Sequence, residues 1–247
     1  MNFELSEEQR MIQRSVERFV EDNYDLNSRV ALSSKSPGFS TENWHSMAEL
    51  GWLGLPFEEE DGGFGGNQID VLVVMEQFGR GLVLEPYLAS IVMGGGALKR
   101  GGTDALKSEI LPQVIEGTLQ LAFAYAEEQS RFDLDDVMTS ARKEGENFVL
   151  NGQKSMVQNA ETADKIVVSA RTSSGQVSPQ GITLFLIDAD AEGLSRDNFP
   201  TVDGLRASEI TFENVSVGPD RILGEVDQGF SILQSVANDA MLALSAE

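Results

Sequence analysis

The chain has 247 residues, 40 Asp and Glu against 18 Lys and Arg, a formal net charge of −22 and no cysteine. That charge repels nucleic-acid phosphates and anionic lipid, and the missing thiols exclude disulfides, thiolate nucleophiles and cysteine-ligated zinc. The 41% hydrophobic content is ample for a core of one or two domains.

No apolar run approaches the ~18 residues of a membrane span, and the N-terminus MNFELSEEQR is polar and acidic where a signal peptide would be basic and apolar. A soluble, cytoplasmic protein is expected.

Residues 1–119 read as helical. Ser6-Glu7-Glu8-Gln9 fits a capping box, and Ile12, Val16, Phe19 and Val20 follow on one helical face. Thr41 is expected to cap a second helix carrying Trp44, Met47 and Ala48. Asp70 should cap a third over Val71 to Phe78. Glu85-Pro86 opens a small-residue helix, Tyr87 to Leu98. Asp104 caps the next, which Pro112 should break or restart.

From Leu119 the pattern alternates. Strands are expected at Leu121–Ala126, Asn147–Leu150, Lys165–Ala170, Ile182–Asp188 and Ile210–Val217, with Asn151-Gly152 as a type I′ hairpin turn. Short strands joined by turns suggest an antiparallel barrel or sandwich. Phe230 to Ala246 is helical again, with Ile232, Leu233, Val236 and Ala240 on one face. The fold class is therefore α+β: a helical domain over 1–119, a β domain over 120–226 and a final helix in 227–247.

Several motifs invite chemistry that their context does not support. Gly62-Gly63-Phe64-Gly65-Gly66 lacks the Lys-Ser/Thr and the strand-to-helix setting of a phosphate loop, and reads as an inter-helix loop. Gly94-Gly95-Gly96 reads as a close helix-packing site. His45 is the only histidine, so no histidine-based metal centre or Ser-His-Asp triad is expected. Asp133, Asp135 and Asp136 do not have calcium-loop spacing and read as solvated carboxylates.

Five segments, in order, carry a family resemblance. They are Ser6-Glu7-Glu8-Gln9 with Val16 and Phe19; Ala48 to Pro56 followed by Gly62-Gly63; Leu150-Asn151-Gly152-Gln153-Lys154; Gly204 to Ser208 with Phe212 to Val217 and Pro219; and Gly229-Phe230. Together they resemble the flavin-dependent acyl-CoA dehydrogenases, closest to the small-subunit type similar to pimeloyl-CoA dehydrogenase.

The resemblance implies FAD as cofactor, an acyl-CoA thioester as substrate and an electron-transfer flavoprotein as acceptor. It also implies a homo- or hetero-oligomer with a related subunit. In the family a carboxylate removes the α-proton while the β-hydride passes to flavin. The cofactor wall it implies here is Phe123, Tyr125, Ala126, Glu127, Met156, Val157 and Gln158. Phe132 and Asp133 fall on the substrate side.

This sequence departs from the family at several of these positions. Ala126 and Gln158 stand where the family has threonine, Met156 where it has tryptophan, and Phe132 where it has serine. Only the first helix of the family's C-terminal helical domain is present, so the chain reads as a portion of a longer enzyme. The base position on that helix is Ala240, and Asp239 is one residue, or about 100°, off, so no catalytic residue is expected in this chain. Two other readings follow from the departures: a non-catalytic partner subunit, or a scaffold that retains the fold.

Overall fold

The computed structural model describes residues 4–173 and 175–247. The helical part comprises α1 (Glu7–Asn23), α2 (Leu26–Ser33), α3 (Thr41–Glu49), α4 (Gln68–Gly81), a π-helical stretch (Tyr87–Gly95) running into α5 (Gly96–Gly101), and α6 (Asp104–Ile115). The Ser6 capping box forms as its sequence implies.

The other caps shift. Ser40 caps α3 in place of Thr41, Thr103 caps α6 in place of Asp104, and Asn67 caps α4 with Asp70 as the reciprocal partner of its box. Each site offers neighbouring residues able to cap, and the one left in an extended backbone takes the role. The α2 helix carries no apolar stripe because none of its residues is buried; Asp25 starts it by accepting the amides of Asn27 and Ser28.

Pro112 does not break α6. The carbonyl its ring would orphan is that of Ser108, and Ser108 is exposed to water, which can satisfy it.

The β part is one sheet with β1 (Leu121–Ala124), β2 (Ser140–Glu144), β3 (Asn147–Gln158), β4 (Lys165–Arg171), β5 (Ile182–Asp188), β6 (Leu194–Pro200), β7 (Arg206–Val217) and β8 (Ile222–Leu223). The order is β6-β7-β3-β2-β4-β5-β8, antiparallel apart from one β2–β4 pair, and β1 lies parallel to β4 off that path. The sequence pattern misses β2 and β6 because both are nearly bare of buried side chains: Ala141 alone in β2, none in β6.

Asn151-Gly152 is not a hairpin turn. It lies inside β3, where the register against β7 slips between Leu150 and Gly152. The β2–β3 hairpin instead turns at Gly145-Glu146, with Gly145 at φ +64°. The long β7 offers β3 a partner across the whole stretch, so the strand continues and the dipeptide's freedom is used for a bulge. The Asn151 side chain holds Asn214, accepting its amide at 2.9 Å. A Cβ on Gly152 would stand 2.6 Å from Thr139 Cα at a backbone φ of +148°. Gly152→Ala is therefore expected to lower stability by about 2 kcal/mol, measured as a fall in the urea midpoint at unchanged slope.

The alternation of β1, β4 and β5 builds two cores. Leu121, Phe123, Val167, Leu184 and Leu186 face the helices, while Ala122, Ala124, Ile166, Val168, Phe185 and Ile187 face the interior of the β part. Both faces are buried, which explains the near-continuous apolar runs. The last helix, α7 (Phe230–Ala246), packs Leu233, Val236, Ala240 and Ala243 into the helix-side core.

Candidate functional site

The site residues gather where the end of β1 meets the bulged half of β3. The glycine run sets how close β1 comes to the helices. A Cβ on Gly94 would fall 2.5 Å from Leu121 Cβ, and one on Gly95 would fall 2.5 Å from the Phe57 ring. The period of β1 then carries Phe123 and Tyr125 to the helix side, where their rings lie 5.7 Å apart at 58°.

The Tyr125 phenol is half-buried and has no hydrogen-bond partner among the described residues; burial raises its pKa, so it stays a donor. The Ala126 carbonyl accepts from Ser155 N at 2.9 Å, while the Ala126 N–H meets no acceptor among the described residues.

Across from them, β3 slips register again between Lys154 and Val157. Met156 sits in that slip at φ +54°, half-exposed, with its amide 3.3 Å from Glu209 Oε1. Val157 points the other way, into the β core. Gln158 lines a cleft between the helical and β parts, with Leu88, Thr162 and Leu244 among the other walls. Its carboxamide has no partner among the described residues.

Glu127 is placed differently from Tyr125 and Ala126. Its carboxylate is buried and fully engaged: Oε1 accepts from Lys154 Nζ at 2.7 Å and Thr139 N at 3.1 Å, and Oε2 from Met138 N at 2.8 Å and Gln129 Nε2 at 2.9 Å. Burial pushes its pKa up, but the Lys154 charge and these donors outweigh that and hold it below the usual value. Lys154 itself is wholly buried, which pushes its ammonium down to about 8 against the pull of Glu127.

Lys154 is a site residue that the family motif contains but sequence reasoning passed over. The signal was present: Phe148, Leu150 and Lys154 share one parity of β3, and a lysine on a buried face requires an acid.

Phe132 is 97% exposed in the loop after Ser130, and Asp133 beside it is also exposed. Neither touches the Tyr125–Gln158 group. Asp136 accepts from Gln176 Nε2 at 2.9 Å, so the acidic loop is tied to the 172–181 segment. His45 is exposed on α3, its Nδ1 2.7 Å from Thr41 O. The Gly62–Gly66 loop spends its amides internally, on the Glu59, Glu58, Gly54, Phe57 and Leu55 carbonyls in turn, which leaves no cradle for a phosphate.

Ala240 is buried in the α7 contact. Asp239 forms an ion pair with Arg100 and accepts from Gln68, in a separate pocket beside α4 and α5. No free carboxylate from α7 therefore reaches the Gln158 cleft from these two positions. Among the described residues, no helix is long and apolar enough to cross a membrane.

The donors at this seam fit a flavin. Tyr125 O–H, Ala126 N–H and the Gln158 carboxamide are hydrogen donors of the kind a flavin's ring acceptors would need, and Met156 has a polarizable apolar side chain.

The fold defines an α+β protein with a helical part seated on a largely antiparallel β part. Residues 6–118 match the family model "Acyl-CoA dehydrogenase, N-terminal domain" and residues 122–215 match "Acyl-CoA dehydrogenase, middle domain". The chain belongs to the acyl-CoA dehydrogenase family.

It is 28% identical over its whole length to a probable acyl-CoA dehydrogenase, YngJ, of Bacillus subtilis, covering 66% of that protein. The structure of a glutaryl-coenzyme A dehydrogenase glutaryl-CoA complex superposes with a TM-score of 0.91 at 25% identity, over 100% of this chain and 64% of that one. PigA with FAD and proline superposes at 0.89 and 26% identity, over 100% and 65%. The ChsE4-ChsE5 complex from Mycobacterium tuberculosis gives 0.82 and 26% identity, over 97% and 61%. Relatives thus include an FAD-bound protein and a hetero-complex. The chain spans 66% of the length of that Bacillus subtilis relative.

Proposed function

We propose that this chain forms the helical and β-domain part (1–119 and 120–226, with 227–247 as a first further helix) of a flavin-dependent acyl-CoA dehydrogenase of the small-subunit, pimeloyl-CoA dehydrogenase-like type. One observation carries the reading: the Tyr125 O–H and Ala126 N–H past the end of β1 and the Gln158 carboxamide at the end of β3 are without partners among the described residues, on two segments joined by the Ser155 N to Ala126 O bond. FAD would lie along Tyr125–Ala126 and Met156–Gln158. When bound, it supplies the acceptor for a hydride from an acyl-CoA thioester.

The protein's own contribution is orientation. Met156 packs on the ring, Phe123 backs Tyr125, Val157 pins the bulge to the β core, and Glu127 acts from beneath. Phe132 and Asp133 would meet the CoA side of the substrate. Ala240 brings no base and Asp239 is held by Arg100, so α-proton removal is assigned to no residue of this chain. An electron-transfer flavoprotein in the cytoplasm would take the electrons.

Titration with FAD tests this reading. Flavin fluorescence should be quenched at a one-to-one ratio, and Gln158→Ala should weaken binding about 5-fold, one hydrogen bond of ~1 kcal/mol. Unquenched flavin at saturating protein would reject it.

A second reading is a non-catalytic partner subunit in a hetero-oligomer. The wholly exposed Phe132, an aromatic where the family has a small polar residue, and the empty base position at Ala240 favour it. A related subunit should then co-purify with the protein, and a stable homo-oligomer with full flavin occupancy would exclude it.

A further inference from the structure

We infer that Lys154 is a positioning residue: through the Tyr125 carbonyl it aims the Ala126 N–H outward, toward where the flavin ring would lie. The inference rests on the flavin reading above and adds the device that prepares the wall.

Lys154 Nζ donates to Glu127 Oε1 at 2.7 Å, Ser169 Oγ at 2.9 Å and the Tyr125 carbonyl at 3.2 Å. These bonds use all of the ammonium's hydrogens. In a trans peptide the carbonyl of one residue and the N–H of the next point in opposite directions. Fixing the Tyr125 carbonyl on a buried ammonium therefore turns the Ala126 N–H away from the interior. The following peptide is held as well, because the Ala126 carbonyl accepts from Ser155 N at 2.9 Å and the Glu127 N–H donates to Ser130 Oγ at 3.1 Å. With both flanking peptides fixed, the Ala126 N–H is the one left pointing outward.

The same ammonium sits two residues before Met156, at the start of the register slip. One buried pair thus fixes the Tyr125–Glu127 segment and the entry to the Met156–Gln158 segment. Ala126 lacks the hydroxyl that a threonine would bring, so its main-chain donor is what that position retains, and its direction matters more.

The experiment uses the full chain with Lys154→Met and Glu127→Leu combined, a change of similar volume that removes both charges together. Amide hydrogen exchange is read at Ala126, with FAD binding followed by fluorescence. The double variant should melt close to the parent protein, yet exchange at Ala126 should change at least 10-fold while β5 and β7 stay as they were. FAD affinity should fall at least 10-fold, and the visible band of bound flavin should lose its resolved shape. Unchanged Ala126 exchange with unchanged FAD affinity would overturn the inference. If the parent protein binds no FAD, the flavin reading fails by itself, and the Ala126 exchange still decides whether Lys154 sets that amide. Should the double variant not fold, Ser169→Ala removes one of the ammonium's bonds and keeps both charges. It should change Ala126 exchange about 3-fold, and no change would be equally fatal.

Discussion

Lys154→Met alone is expected to cost ~3–5 kcal/mol of stability, the largest single effect in the β part. The loss would come less from the missing attraction than from what remains. Glu127 would stay buried at the junction of β1, β2 and β3 with its strongest donor gone, and Tyr125 O and Ser169 Oγ would lose theirs. Glu127→Leu alone should be similarly harmful, because it strands the ammonium and the amides of Met138 and Thr139. The two together should cost only ~1 kcal/mol, so a double-mutant cycle in urea should show a coupling energy of at least ~5 kcal/mol, the sum of the two single losses less that of the pair. Additive effects would mean that the pair does not act as a unit. The contrast with Arg18–Asp22 is useful, since that exposed pair should contribute less than ~1 kcal/mol.

Glu85→Gln should stabilise the protein at pH 8 and leave it almost unchanged at pH 5. Glu85 is 5% exposed beside the Gln158 cleft, where its carboxyl meets Tyr24 O–H and Ser40 N. Burial raises its pKa from 4.5 to about 7, more than its backbone donors lower it. The folded state therefore holds this proton more tightly than the unfolded chain does. The associated stability is complete below pH 4.5 and is lost as pH rises through 7, a change of ~3 kcal/mol if the whole shift is realised. Glutamine mimics the protonated form, keeping an acceptor for Ser40 N and remaining neutral at every pH. Unfolding curves at pH 5, 6, 7 and 8 should converge for the two proteins at the acid end and separate toward the alkaline end. Parallel curves would show that Glu85 is already ionised in the folded protein at pH 5.

Much of the architecture could be read along the chain where burial was one-sided and periodic. The α1 stripe of Val16 and Val20 and the α7 face of Leu233, Val236 and Ala240 stand where their spacing puts them, and the strand Ile182–Asp188, buried on both faces, shows instead as a short continuous apolar run. Elements without a buried face left no such trace. The α2 helix buries nothing, β6 buries nothing, and β2 buries Ala141 alone, so each was invisible to a search for apolar period. Asn151-Gly152 misled for a related reason. The dipeptide records what the backbone tolerates, and only the long β7 partner decided that the strand would run through it.

The candidate site divides in the same way. Tyr125, Ala126 and Gln158 keep polar groups without partners among the described residues, while Glu127 turns inward to Lys154 and Phe132 turns outward to solvent. By itself the chain determined the composition of its helices and strands, the family motifs and the absence of a carboxylate at Ala240, because these depend on residue identity and local period. The tertiary structure decided which polar groups are spent and which are left to bind. A hydrogen bond such as Lys154 to Tyr125 O joins positions 29 residues apart, and no local pattern records which way a peptide N–H is turned once its neighbour's carbonyl has been claimed.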